Sequence, residues 1–159
     1  MVKQLKCLPR HFSMCCVRAS LVLLLFGVAA SSVHAQGWSW SFENVDSGAK
    51  FTSLAVDSRG GVHVSYTDNS AHVVKYAFRS VESSHWYTLV IEKDVGSATT
   101  HLALDSGGNP HICYPDWTDL KYAYWNGKRW LNQEISPGGA KEFTCSLAIS
   151  SEGTPYVSW

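Results

Sequence analysis

The sequence predicts an all-β protein assembled from repeated four-stranded units, and three observations carry that expectation. First, one string occurs three times: Leu54-Ala55-Val56-Asp57, Leu102-Ala103-Leu104-Asp105 and Leu147-Ala148-Ile149-Ser150, at offsets of 48 and then 45 residues. Such a period marks a solenoid, a propeller or an array. Second, each string is followed by a Gly-containing turn (SRGG, SGGN, SEGT) and then by a second string, Val62–Tyr66, Pro110–Tyr114 or Pro155–Trp159. Third, all seven Trp and all seven Tyr lie after residue 35, in short apolar alternations that suit strands, and no long segment keeps a helical spacing of apolar positions.

In chain order, residues 1–35 read as a secretory signal peptide. Lys3, Lys6, Arg10 and Arg18 form a positive start without acidic residues, Leu21–Ala30 is an apolar run, and Val33-His34-Ala35 offers small residues for cleavage before Gln36. The apolar run is about half of the ~20 residues that span a bilayer, so no membrane span is expected after cleavage. Met14 would start a signal of more ordinary length. The expected location is secreted, extracellular or periplasmic. Without the signal, nine Lys and Arg face thirteen Asp and Glu, about −4, which is no electrostatic footprint for nucleic acid. Three of the five Cys leave as well. The remaining Cys113 and Cys145 permit one disulfide in an exported chain, the alternative being two small buried thiols. Cys113 stands where the first copy has Ser65, and Cys145 where the others have Thr52 and Thr100, all positions for small side chains.

The mature part, 36–159, divides into an outer strand (37–45), two four-stranded units (50–93 and 98–136) and a half unit (143–159). In each unit a first strand turns through Gly into a second, as in a hairpin where glycine supplies positive φ. Polar loops at Thr67–Ala71 and Pro115–Thr118 lead to third strands, His72–Arg79 with Val74, Tyr76 and Phe78 on one side, and Asp119–Trp125 with Leu120, Tyr122 and Tyr124. Fourth strands begin at Trp86 and Trp130, and Trp38 stands as far before Leu54 as Trp86 before Leu102. The first two strands are apolar or small on both faces, so they are expected to be covered on both sides. Four strands and about 45 residues per repeat match a β-propeller blade; a β-sandwich is the competitor, but it does not explain near-identical strings at a fixed interval. The expected fold is a partial β-propeller of antiparallel blades, about two and a half repeats, completed by further blades of a longer chain or by self-association.

The string from Leu102 to Trp130, LALDSGGNPHICYPDWTDLKYAYWNGKRW, resembles the repeats of sialidase-like (BNR-type) propellers, and the likeness extends over Trp38 to Trp159. Gly127 and Trp130 keep the Gly-x-x-Trp spacing of that family's Asp-box, with Trp125 where the box has Asp. A sialidase-like active site, as the resemblance implies, needs three converging arginines, a Tyr nucleophile with a Glu, and an acidic Asp. Arg59 falls in a first-to-second turn, whereas Arg79 and Arg129 fall in third-to-fourth connections, so they are not expected to converge.

The candidate ligand site is the loop after the second strand, where Tyr66 and Asp68 in one copy, and Tyr114, Asp116 and Trp117 in the next, would emerge on one face. An aromatic plate beside a carboxylate suits a sugar; the competing reading makes the tyrosines core. Asp57 and Asp105 are expected to bond their turns rather than a metal. His63 and His111 recur alone, as packed imidazoles rather than zinc ligands, and Lys75 and Lys121 are expected to be solvated or snorkelling. No cofactor, catalytic residue or metal ligand is assigned. The expected function is a non-catalytic binding or scaffold module for a glycan or cell-surface polymer. The alternative is the amino-terminal part of a sialidase-like glycoside hydrolase whose catalytic residues lie in other blades.

Overall fold

The computed structural model of the chain describes residues 3–9, 38–96, 99–136 and 144–159. The chain falls into two compact units. One comprises Gln4–Glu43 and holds all but the first residue of β1 (Lys3–Pro9) and the last of β2 (Trp38–Asn44), which form a two-stranded sheet. The apolar run and cleavage site of the expected signal lie outside the described residues.

The second unit, containing Asn44–Trp159, is all-β. The first module is an antiparallel sheet of β3 (Ala49–Val56), β4 (Val62–Asp68), β5 (Val73–Arg79) and β6 (Tyr87–Lys93), hydrogen-bonded in sequence order. The second repeats it with β7 (His101–Leu104), β8 (Pro110–Asp116), β9 (Asp119–Trp125) and β10 (Trp130–Ser136). The third contributes the hairpin of β11 (Ser146–Ile149) and β12 (Pro155–Ser158). Every residue of β4 and β8 is buried, as strands covered on both faces must be.

The loops after the second strands are shorter than expected, because β4 runs through Asp68 and β8 through Asp116. In the second module Asp116 pairs with Asp119, leaving a two-residue turn with Trp117 at φ 42°. The first module spends two more residues there, which is why the offset between repeats falls from 48 at Leu54/Leu102 to 46 at Tyr76/Tyr122.

Alternation along the strands decides how the modules pack. Val74, Tyr76, Ala55 and Phe78 leave one face of the first sheet and join Leu102, Ile112, Tyr114 and Ala123 of the second in one cluster. The opposite face of the second sheet supplies Cys113, Tyr122, Ala103 and Tyr124, which pack on Leu147, Ile149 and Val157 of the third. The same joint is therefore built twice, each time with the first strands of successive modules side by side. Polar contacts repeat along with the apolar ones. The Leu102 N–H donates to Ser53 Oγ (3.0 Å), and the equivalent Leu147 N–H donates to His101 Nδ1 (3.2 Å). At the next equivalent pair, Ser65 and Thr100 hydroxyls bond each other at 2.8 Å in the first joint, while Cys113 and Cys145 form a disulfide in the second, with a Cα separation of 6.3 Å.

Candidate functional site

The first-strand turns of the first two modules each carry an aspartate that holds the turn itself. Asp57 Oδ1 accepts the N–H groups of Arg59 and Gly61, both at 2.8 Å, and Asp105 Oδ1 accepts those of Gly107 (2.9 Å) and Asn109 (2.8 Å). In the third module Ser150 Oγ takes the Thr154 N–H. A Cβ at Gly61 would sit 2.6 Å from the Asp57 carboxylate, which would have to shift to admit one; the second module has Asn109 at the equivalent position.

The second carboxylate oxygen faces a histidine on the neighbouring strand. Asp57 Oδ2 is 3.4 Å from His63 Nε2, and His63 Nδ1 is 2.6 Å from the Tyr76 hydroxyl. With the carboxylate accepting from Nε2–H, Nδ1 is left as acceptor and Tyr76 donates to it. The second module keeps the tyrosine half of the arrangement, with His111 Nδ1 bonded to the Tyr122 hydroxyl, while Asp105 Oδ2 accepts from the Asn109 side chain (2.8 Å) and lies 3.6 Å from His111 Nε2, beyond hydrogen-bond distance. Burial drives both imidazoles below the ordinary histidine pKa, against the opposing pull of Asp57 or Asp105. Burial also raises the Tyr76 pKa well above the usual phenol value and lifts Tyr122 to about 12. Burial raises the Asp57 pKa too, but the Gly61 N–H, His63 and the Arg59 N–H outweigh it and hold the carboxyl below its usual range. These are neutral rings and ionised carboxylates, a geometry that locks turn to sheet. An ionisable tyrosine nucleophile would need the opposite shift.

The five residues expected to form a sugar platform do not share a surface. Tyr66 and Tyr114 have no exposure at all; the Tyr66 hydroxyl donates to Asp46 (2.9 Å) and that of Tyr114 to Glu92 (3.4 Å). The tyrosines that end the second strands are core, and a ring buried on both faces offers no plate for a ligand. Asp68 accepts from the Ser70 hydroxyl and N–H and the Ala71 N–H, and pairs with Lys75 at 2.9 Å; the bonds from Ser70 and Lys75 hold its carboxyl down to about 2. Asp116 pairs with Lys121 at 2.8 Å. Both lysines, expected to be solvated or snorkelling, are instead held in ion pairs: Lys75 also reaches Asp46 at 3.0 Å. Of the five, only Trp117 presents ring surface, 62% exposed, with its indole N–H donated to the Asp94 carbonyl.

An open concavity lies elsewhere, where the first and second modules meet. It is a cleft of about 310 Å³. Its aromatic walls come from Tyr87, Phe78, Trp125 and Trp130, with Trp125 and Trp130 edge to face at 6.2 Å and Trp130 edge to face with Tyr76 at 5.1 Å. Its polar groups come from Asp57, Arg59, His63 and Asn109. Tyr87 is 66% exposed and so presents its ring to the opening. Among the described residues no group of three or more His, Cys, Asp or Glu side chains is placed to hold a metal ion. No helix among them is long and apolar enough to cross a membrane.

The aromatic cleft was missed in the sequence because its walls come from β5 and β6 of one repeat and from the adjoining ends of β9 and β10 of the next. The Asp-His-Tyr relay did leave a signal. Asp57, His63 and Tyr76 recur together as Asp105, His111 and Tyr122, and three residue types repeating as a set point to mutual contact. No known family model matches the chain, and no curated protein matches it in sequence.

Proposed function

We propose that the chain is an exported β-propeller segment acting as a non-catalytic binding module, and that the cleft between its first two blades takes a carbohydrate. The observation that carries this reading is the cleft itself. Its volume is at the small end of ligand sites, ~300–1,000 Å³, enough for one sugar unit. Trp125, Trp130 and Tyr87 offer aromatic surface for the apolar face of a pyranose, and Arg59 and Asn109 offer polar groups for hydroxyls. The propeller reading is supported by the repeated joint, which adds each sheet to the last with its first strand against the previous first strand. Export is supported by the positive, then apolar, start of the sequence and by the Cys113–Cys145 disulfide, a bond that persists in oxidising compartments.

Binding is the reading these two blades support, because Tyr76 and Tyr122 are buried with raised pKa values and the Arg79 guanidinium lies 5.2 Å over the Trp86 ring; the sialidase-like alternative places its catalytic residues in other blades. The test is a glycan array followed by tryptophan-fluorescence titration of the responding saccharides. Trp125→Ala should weaken binding at least tenfold, whereas Trp117→Ala should leave it unchanged. Uniform silence on the array, or a ligand insensitive to Trp125→Ala, would overturn the assignment.

A further inference from the structure

We infer that the saccharide taken by the aromatic cleft is at least two units long, its second unit lying in a recess that continues the cleft past Arg59. This length rests on the carbohydrate reading of the cleft. The recess measures about 290 Å³, close to the 310 Å³ of the cleft, and the two share Asp57, Arg59 and Phe78 as walls. Arg59 therefore stands between two spaces rather than at the edge of one. The cleft alone is at the lower limit of ligand sites, ~300 Å³, and the recess has room for one further sugar unit.

Two turns of the first module build the recess. The turn after β3 brings Arg59, whose N–H is held by Asp57 at 2.8 Å. The turn after β5 brings Ser80, Val81 and Glu82, and is closed by the Ser83 N–H, which donates to the Ser80 carbonyl at 3.2 Å. The turns meet at Gly60, at φ 84°, where a Cβ would come 3.0 Å from the Val81 side chain. The lining differs in kind from that of the cleft. In place of Trp125, Trp130 and Tyr87 it has one aromatic ring, Phe78, and faces it with the Ser80 hydroxyl, Arg59 and Glu82. Arg59 and Glu82 are exposed, and among the described residues neither side chain enters a hydrogen bond or ion pair within the chain. The carboxylates of Asp57, Asp68 and Asp116, by contrast, are bonded to internal partners. A donor and an acceptor with free bonding capacity, beside a single ring, suit a unit held through its hydroxyls: one donates to Glu82 and another accepts from Arg59. Stacking thus holds the first unit, and hydrogen bonds hold the second.

The test uses the full chain and a glycan array carrying glucose, mannose, galactose and N-acetylglucosamine, each beside its homologous disaccharide; the responding pair is then titrated by tryptophan fluorescence. The disaccharide should bind about tenfold tighter than its monosaccharide, the gain that a charge-assisted hydrogen bond supplies. Glu82→Ala should reduce that ratio to below about threefold, whereas Trp125→Ala should weaken both probes together. Because Glu82 is exposed, its removal leaves the packing intact, and a urea midpoint equal to the parent's confirms that the variant is folded. A disaccharide no tighter than its monosaccharide, in a response still lost with Trp125→Ala, would overturn the inference and leave the carbohydrate reading standing. A ratio untouched by Glu82→Ala would overturn it as well. Silence of every probe would overturn the reading of the cleft and the inference with it.

Discussion

Replacing Leu102 and Leu54 by alanine, one at a time, measures how a module is held. The two leucines occupy the same place in successive repeats, yet Leu102 is sealed among Val74, Ile112 and Tyr114 while Leu54 is half exposed. Leu102→Ala loses the transfer free energy of the buried side chain and leaves a cavity, about 3 kcal/mol within the ~2–5 range for such sites. Leu54→Ala removes a side chain already half in water, and solvent fills the space, so it should cost about 1 kcal/mol in the dilute monomer. The difference, about 2 kcal/mol, is a ~30-fold change in the folding equilibrium. Urea unfolding followed by tryptophan fluorescence resolves it as a lower midpoint for Leu102→Ala. Equal losses for the two variants would refute the reasoning, because they would mean that no module covers Leu102 more than Leu54.

Other perturbations follow from the charges. His63 and His111 have folded pKa values below that of an unfolded histidine, ~6.5. The unfolded state therefore binds more protons as pH falls through that value, and stability should decline from about pH 6.5 downward, by up to ~1.4 kcal/mol per pH unit for each ring. His63→Gln with His111→Gln should flatten that slope in urea midpoints taken between neutral and mildly acid pH. Asp68 is depressed to about 2, so its contribution is present above ~4 and is lost as pH falls from there toward 2. Lys75→Met leaves Asp46 and Asp68 without their shared cation and should cost about 2 kcal/mol near neutral pH, less than a fully buried pair because Asp46 is partly wet. The deficit should shrink in acid, where both carboxylates of the variant take up protons, and a deficit independent of pH would contradict the pairing.

Much of the architecture was legible because it repeats. Leu54, Leu102 and Leu147 announced equivalent first strands, and the Gly turns after them, with Asp57 or Asp105 at the head, carry the chemistry such turns need. The two-faced apolar character of Val62–Tyr66 and Pro110–Tyr114 foretold strands covered on both sides. The site was less legible, for a physical reason. Tyr66 and Tyr114 look alike as core or as platform in a string of letters, and what decides is whether another segment lies over the ring. Asp46 and Glu92, which take their hydroxyls, come from outside the hairpin that carries each tyrosine. The same holds for Lys75, whose partners stand 29 and 7 residues away. The cleft depends on Tyr87 and Trp125 approaching from neighbouring repeats, a proximity that no spacing within one repeat encodes.

The claim on which the account rests is that successive modules join in one fixed register, and a disulfide scan of the first joint tests it most directly. Ser65 and Thr100 are the counterparts of Cys113 and Cys145, and their hydroxyls already touch. In the variant carrying Ser65→Cys and Thr100→Cys, peptide mapping after mild oxidation should find those two positions bonded to each other within one chain, alongside the native pair. Free thiols at both positions, under conditions where Cys113 and Cys145 are fully bonded, would contradict it.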